Sequence, residues 1–343
     1  MTWSEAGAAE ARHMLCAAHA AGRLGHSWLL TGEAGIGKLE FAYWLVRMRW
    51  CQAQRERPCG DCRSCRQVDT GNHPDLVLVR RDPPPEADPQ GLGSKHEITV
   101  GQVRELVLAG LSLRAVEGGG RVVIVDSADD LNEESQNALL KLLEEPPPGS
   151  LLILVTARAE SLLDTVRSRC QEIRLAPLSE QEMAAAVSGH TERLCRLARG
   201  RPGCLEQLAR LDVDGLLAAL DGFLAGSCSG PGLARSLESI LTAAGAEGAE
   251  ELSARRLTLE VLHQRIHDLA LLQAGGVGEG PSGRLSLEAD LPPIDRLFDM
   301  ETALMSALTD IRRHLPAAVS LTALGTEFER ARMGAGPAGK RYT

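Results

Sequence analysis

Apolar and polar positions along the first half of the chain fall into two kinds of block. Trp28-Leu-Leu30, Leu76-Val-Leu-Val79, the core of Arg121-Val-Val-Ile-Val-Asp126 and Leu151-Leu-Ile-Leu-Val-Thr156 are short, uninterrupted apolar runs, the signature of strands buried on both faces of a parallel sheet. Between them the spacing turns helical. Residues 1–26 read as one amphipathic helix, and a second runs from Lys38 to about Cys51 with Phe41, Ala42, Trp44 and Leu45 as its apolar positions. Thr99-x-x-Gln102 is a capping-box start for a helix carrying Val103, Leu106, Val107 and Leu111. Asn132 opens another, with Glu133 and Glu134 in the first turn where the helix dipole favours acids, and Pro146-Pro147-Pro148 stops it. A helical stretch to Arg169 and a short strand, Glu172-Ile-Arg-Leu175, complete the block. Alternating strands and helices predict a three-layer α/β domain with a parallel sheet over residues 1–175.

Past Pro177 the strand signal disappears. Ser179-x-x-Glu182 opens a small helix, and Gly200 and Pro202-Gly203 punctuate two more. Residues 176–213 therefore read as a small all-helical lid domain. Residues 214–343 hold longer helical patterns, broken at Gly226–Gly230 and across the Gly-rich stretch 274–283, with a loose tail from about 334. Residues 81–97 are rich in Pro, Asp and Gly and read as an exposed loop. No internal repeat of solenoid period is present.

Composition narrows the function more than the fold. The 343 residues are 44% hydrophobic and 24% charged, ordinary for a globular chain long enough for two or three domains. At 3% aromatic, the chain has no row of stacking platforms for single-stranded nucleic acid. A net charge of −9 argues against wrapping DNA alone, although a local basic edge within a larger assembly stays open. No apolar run approaches the ~20 residues of a membrane span, and Met1-Thr-Trp-Ser-Glu5 does not begin a secretory signal. A cytoplasmic location is expected, with the nine cysteines reduced.

The most specific stretch is Gly32-Glu-Ala-Gly35-Ile-Gly37-Lys38-Leu39, which follows a strand and opens a helix. In that context a Gly-x4-Gly-Lys loop cradles phosphate. Its glycines allow a tight turn that aims backbone N–H groups inward, and the helix N-terminus adds partial positive charge. Lys38 would lie on the outer phosphates. The next position holds Mg²⁺ through a Ser or Thr hydroxyl in working nucleotidases, and here it is Leu39. Asp126 ends a strand where such proteins place the carboxylate that holds the metal through water. It is followed by Ser127, which cannot accept a proton from water at neutral pH. Metal ligand and general base are therefore both missing. Hydrolysis is not expected; binding of ATP or ADP without turnover stays open.

Cys51-x7-Cys59-x2-Cys62-x2-Cys65 is a dense cluster within the insertion 51–66. Four thiolates close a tetrahedral shell around Zn²⁺ and leave no position for water, so the expected site is structural. Cys16, Cys170, Cys195, Cys204 and Cys228 are scattered and read as buried small apolar residues. Arg167-Ser168-Arg169-Cys170 is undecided on its own. An arginine there is ordinarily a solvated surface charge, and its functional use would be as an arginine finger toward a neighbouring subunit.

Asn137-Ala-Leu-Leu-Lys-Leu-Leu-Glu-Glu-Pro-Pro147, taken with Ser168-Arg169-Cys170, closely resembles the clamp-loader branch of the AAA+ ATPases. The cysteine insertion after the loop helix is similar to that of bacterial DNA polymerase III loader subunits, and Gly71-Asn-His-Pro-Asp75 has a counterpart there. The resemblance covers residues 23–210. Beyond 214 it rests on helical pattern and on Asp310-Ile-Arg-Arg-His-Leu-Pro316. It implies an α/β P-loop AAA+ core, a helical lid and a helical C-terminal collar joining a pentameric ring with motor subunits (gamma/tau) and a delta subunit. The ring opens a sliding clamp and places it on primed DNA at the cost of ATP. Motor subunits carry Thr after the loop lysine, an Asp-Glu pair on the next strand and a sensing arginine in the lid. This chain has Leu39, Asp126-Ser127 and Gly200-Arg-Pro-Gly203 at those places, and so resembles the non-hydrolysing stator. By the same resemblance Arg169 is the arginine finger in trans, and Thr156 is the candidate sensor. Two rivals are weighed: a self-sufficient ATPase motor, disfavoured by Leu39 and Ser127, and a P-loop kinase, which needs an Arg-rich lid that the chain lacks.

Overall fold

The computed structural model describes residues 8–54, 57–81, 97–117, 119–186, 189–245, 249–275, 279–284, 292–310 and 317–334. The chain divides into two compact units, Met1–Val187 and Ser188–Thr343. The boundary falls within the segment 176–213 expected from sequence to be a lid.

In the first unit β1 (Ser27–Thr31), β2 (Leu76–Val79), β3 (Val122–Val125), β4 (Leu151–Thr156) and β5 (Gln171–Arg174) form one sheet in the order β2-β3-β4-β1-β5. All neighbours are parallel, with Leu29 opposite Leu154 and Glu172, and Ile124 opposite Ile153. Every residue of β1, β3 and β4 is buried, whereas β5 at one edge buries only Ile173. Alternate side chains feed two separate cores. Trp28, Leu30, Val122, Ile124, Ile153 and Val155 pack with Leu15 of α1 (Ala9–Ala20) and with Phe41, Trp44, Leu45 and Met48 of α2 (Lys38–Trp50). Leu29, Val123, Val125, Leu152 and Leu154 point the other way, onto Val103, Val107, Leu139, Leu142 and Leu143. The period of two in a fully apolar strand thus builds the expected helix–sheet–helix sandwich.

The capping signals act as read. Thr99 and Gln102 close a reciprocal capping box, opening α4 (Val100–Gln102), which continues as a π-helical segment Val103–Ala109 and α5 (Gly110–Ser112). Asn132 accepts from the Ser135 amide at the start of α6 (Glu133–Glu144). Other expectations need correction. Among the described residues the N-terminal helix runs over Ala9–Ala20 and stops short of 26, where the chain turns through a left-handed Gly22; residues 1–7 of the expected helix lie outside the described residues. The stretch before Arg169 is a short 3₁₀ turn, Ala159–Ser161, and a four-residue helix, α7 (Asp164–Arg167), because Thr156 to Leu163 are committed to loop contacts. Most of the loop expected at 81–97, the stretch 311–316 and most of the tail from 334 lie outside the described residues.

The first unit closes with α8 (Glu180–Ala186), and the second unit is helical: α9 (Glu192–Ala198), α10 (Gly203–Arg210), α11 (Val213–Leu224), α12 (Gly230–Ala243), α13 (Ala249–Gln273), α14 (Ile294–Asp310) and α15 (Ala317–Met333). Strand is not absent there. Glu279–Gly280 and Gly283–Arg284 form a minimal antiparallel hairpin, held by the buried Asp268 carboxylate, which accepts from the Ser282 amide (2.9 Å) and hydroxyl (2.5 Å). Two-residue strands are too short to show a hydrophobic period. No helix among the described residues is long and apolar enough to cross a membrane.

The Gly71-Asn-His-Pro-Asp75 segment acquires a physical role. Asp75, buried before β2, accepts from the amides of Val116 (2.8 Å) and Glu117 (2.9 Å) and pairs with Arg121, tying the loop ahead of β3 to the sheet. His73 stacks on Trp50 at 3.9 Å between ring centroids. Asp75→Ala leaves two amides and a guanidinium without this acceptor, so a loss of about 1–3 kcal/mol is expected. Urea unfolding of the variant checks this, and an unchanged midpoint contradicts it.

Candidate functional site

The glycine loop leaves β1 in a conformation that side chains resist. Gly32, Gly35 and Gly37 have φ of 144°, 80° and 95°. A Cβ at Gly32 would lie 2.6 Å from the Leu175 carbonyl oxygen, so the close approach of β5's exit demands glycine. Gly37 precedes α2, and Lys38, 8% exposed, donates from Nζ to the carbonyls of Gly32 (2.9 Å) and Glu33 (2.7 Å). The loop therefore wraps the ammonium beside a helix N-terminus, a setting suited to an anion. Leu39 packs on the first apolar core. Its side chain has no donor atom for Mg²⁺, so the residue at this position does not fit the metal.

Asp126 follows β3, its amide bonded to the Val79 carbonyl (2.8 Å). Burial pushes its carboxyl above the usual range, and the charges of Arg80 and Lys38 pull it back, which places the expected carboxylate and loop lysine in one electrostatic neighbourhood. Ser127 adopts φ 59°, in the left-handed region. Thr156, fully buried at the end of β4, donates to Asp129 Oδ1 (2.9 Å) and accepts from the Arg158 amide (3.0 Å), while Asp129 also binds the Arg158 guanidinium (3.1 Å). Asp129 was not singled out from the sequence, since its partners are 27 and 29 residues away. Beside it, burial raises the Asp130 carboxyl to about 6, against the charge of Arg81.

Ser168, Arg169 and Cys170 separate by task. The Ser168 hydroxyl donates to the Thr165 carbonyl (3.3 Å), and Cys170 packs on the second core, where burial pushes its thiol up to about 12. Arg169 reaches the Glu144 carboxylate through Nε (3.0 Å) and Nη2 (2.6 Å), and the Thr165 carbonyl through Nη1 (3.0 Å). The pair is 37% and 53% exposed. An ion pair so open to water contributes at most about 1 kcal/mol, so Glu144 orients Arg169 without locking it. In the second unit, Arg201 of the Gly200-Arg-Pro-Gly203 turn is buried and bound to Glu260 (2.6 Å).

The four cysteines come together. The Sγ atoms of Cys51, Cys59, Cys62 and Cys65 all lie within 4.8 Å of one another, against S···S edges of roughly 3.8 Å in a tetrahedral zinc site with Zn–S of ~2.3 Å. Backbone amides donate onto the sulfurs: Cys59 to Cys51 (3.3 Å), Cys62 to Cys59 (3.4 Å) and Cys65 to Cys62 (3.5 Å). Cys62 caps α3 (Arg63–Asp69); burial opposes its ionisation, but amide hydrogen bonds prevail and set its thiol at about 6. None of the described cysteines is in a disulfide, and the donor set fits a structural zinc ion. Of the other five, only Cys204 is fully buried; Cys16, Cys170, Cys195 and Cys228 are half-buried.

A parallel sheet in this order, with a glycine loop leaving β1 and a carboxylate at the end of β3, defines an AAA+ type P-loop core followed by a helical unit. Comparison with known sequences carries the assignment further. The chain belongs to the family "DNA polymerase III, delta subunit", whose model matches residues 7–179. It is 33% identical over 177 residues to DNA polymerase III subunit delta' of Bacillus subtilis, covering 50% of each chain. It is 37% identical over 197 residues to the protein of that name in Escherichia coli, covering 55% of this chain and 56% of that one. DNA polymerase III subunit gamma of Buchnera aphidicola is 31% identical over 176 residues, 50% of this chain and 44% of its own. The chain thus spans about half the length of the curated relatives it matches.

Two measurements check the site. Purified protein should carry one Zn²⁺ per chain, released as acid protonates the thiolates, and Cys62→Ser should lower the melting temperature; elemental analysis without zinc in unchelated protein refutes the site. Asp130 should titrate near pH 6 by NMR, and Arg81→Ala should move its midpoint higher. Because the folded-state value lies above the ordinary 3.8, the stability this proton supplies is full below 3.8 and lost as pH rises through about 6. A midpoint near 4 contradicts this.

Proposed function

We propose that the chain is the non-hydrolysing stator of a DNA polymerase III clamp loader, a delta'-type subunit. It works in the cytoplasm beside motor subunits of gamma/tau type and a delta subunit, in a pentameric ring that loads the sliding clamp onto primed DNA. The observation that carries the reading is the family match over residues 7–179 in a chain with Leu39 after the loop lysine and Ser127 after Asp126. A motor reading is favoured by the gamma-named relatives at 31–32% identity. It needs a metal-ligating hydroxyl at 39 and a base at 127, and the chain offers neither.

In this reading the AAA+ core, a lid over 176–213 and a collar over 214–343 are three working parts. Gly32, Gly35, Gly37 and Lys38 hold the phosphates of ATP or ADP without turning it over, with Asp126 and Thr156 facing the same edge. Zinc on Cys51, Cys59, Cys62 and Cys65 stiffens the insertion. Arg169 acts outside its own subunit: its guanidinium is permanently charged, planar and able to bridge two phosphate oxygens, as Lys cannot. Glu144 gives it a resting position that the stronger charge of a neighbour's nucleotide can overcome.

The test is a reconstituted ring containing Arg169→Ala. Such fingers contribute about 10³- to 10⁵-fold at one site, and only one of several ATP sites borders this subunit. Total DNA-stimulated ATPase should therefore fall by a fraction, while clamp loading falls much further. Arg169→Lys should be nearly as damaged, and both variants should stay folded, zinc-loaded and able to join the ring. Loading at the unsubstituted rate would show Arg169 to be an ordinary surface charge.

A further inference from the structure

Resting on the reading in which the glycine loop holds phosphates, we propose that Arg80 takes the place of Mg²⁺ there, so that the loop receives a nucleoside di- or triphosphate free of metal. Arg80 leaves β2 at the carboxyl edge of the sheet. Val79 lies opposite Val125 in the parallel register, and the Asp126 amide donates to the Val79 carbonyl (2.8 Å), so Arg80 emerges beside Asp126. The neighbouring cations are engaged. Lys38 donates to the Gly32 and Glu33 carbonyls, Arg81 pairs with Asp130 (3.4 Å), and Arg158 pairs with Asp129 (3.1 Å). The exposed Arg80 guanidinium has no hydrogen-bond or ion-pair partner among the described residues. Only its backbone is fixed, the carbonyl accepting from Gln102 Nε2 (3.0 Å). Its charge acts on Asp126, more strongly than that of Lys38, and also on Tyr43 of α2. One strand-end carboxylate thus feels the loop lysine and Arg80 together.

Working loops neutralise the outer phosphates with Mg²⁺, held by a hydroxyl at the position of Leu39 and through water by the strand-end carboxylate. With Leu39 that ion loses its protein ligand, and the phosphate charge needs another counter-ion. A guanidinium supplies it, being permanently charged and able to bridge two phosphate oxygens with directed N–H donors. Asp126 then orients the guanidinium in place of a metal's waters. A positive charge built into the chain favours a ligand whose oxygens are not already occupied by a divalent ion. Mg²⁺ in solution therefore competes with the site instead of completing it.

The test is fluorescence titration of the zinc-loaded full chain with methylanthraniloyl-ADP, in magnesium-free buffer without chelator and again in excess Mg²⁺. Binding without Mg²⁺ should be at least as tight as with it. Arg80→Ala should weaken metal-free binding about tenfold or more. That variant should melt at the parent temperature, because it removes an exposed side chain and keeps the carbonyl that Gln102 binds. Binding that requires Mg²⁺, or an Arg80→Ala affinity within about twofold of the parent, overturns the role of Arg80 and leaves the phosphate loop standing. No binding at all, or binding unmoved by Lys38→Ala, overturns the phosphate loop itself and the role of Arg80 with it.

Discussion

The structure depends on the parallel pairing of β1 between β4 and β5. That register, with Thr31 opposite Thr156 and Arg174, brings the carboxyl ends of the strands to one edge of the sheet. Residues remote in sequence meet there: the glycine loop leaving β1, Asp126 leaving β3 and Thr156 closing β4. Open α/β sheets bind ligands outside their strand carboxyl ends, because only there do loops diverge and leave a crevice. The buried apolar runs are thus what aligns the polar site. A slip of one residue in β1 would turn Trp28 and Leu30 out of one core and Leu29 out of the other.

In the proposed reading, the charges at that edge hold an anion better than they perform chemistry. Lys38 is gripped by two loop carbonyls, Asp126 is raised by burial and moderated by Arg80 and Lys38, and Asp129 is occupied by Thr156 and Arg158. What phosphoryl transfer needs besides positioning is a metal ligand and a base, and Leu39 and Ser127 stand in those places. Arg169 lies elsewhere on the unit, held by Glu144 in a half-solvated pair. In the proposed ring this division has a mechanical sense: the subunit keeps its shape while lending one charge to a neighbour that turns over ATP.

Much of this was legible in the sequence, for identifiable reasons. Fully apolar runs bounded by glycine and proline announce buried parallel strands, and β4 runs from Leu151 to Thr156 as expected. Capping at Thr99 and Asn132 depends on residues within three positions, so local spacing reveals it. The cysteine cluster was legible because two-residue spacings constrain the sulfurs before any fold is known. Contacts between distant residues were not. Nothing in the spacing pairs Glu144 with Arg169, Asp75 with the amides of Val116 and Glu117, or Asp129 with Thr156. The hairpin at 279–284 was missed because its strands are shorter than any period, and it is held by a buried Asp268 on α13.

A glycine loop with Leu39 in place of a metal-ligating hydroxyl and Ser127 in place of a base is not expected to turn over nucleotide. Phosphate release from Mg-ATP by the isolated, zinc-loaded chain tests it most directly, with Lys38→Ala prepared in parallel to expose contaminating activity. No release above the Lys38→Ala background is expected. Sustained turnover at ~1 s⁻¹, within the range of ordinary enzymes, that disappears in Lys38→Ala would contradict it.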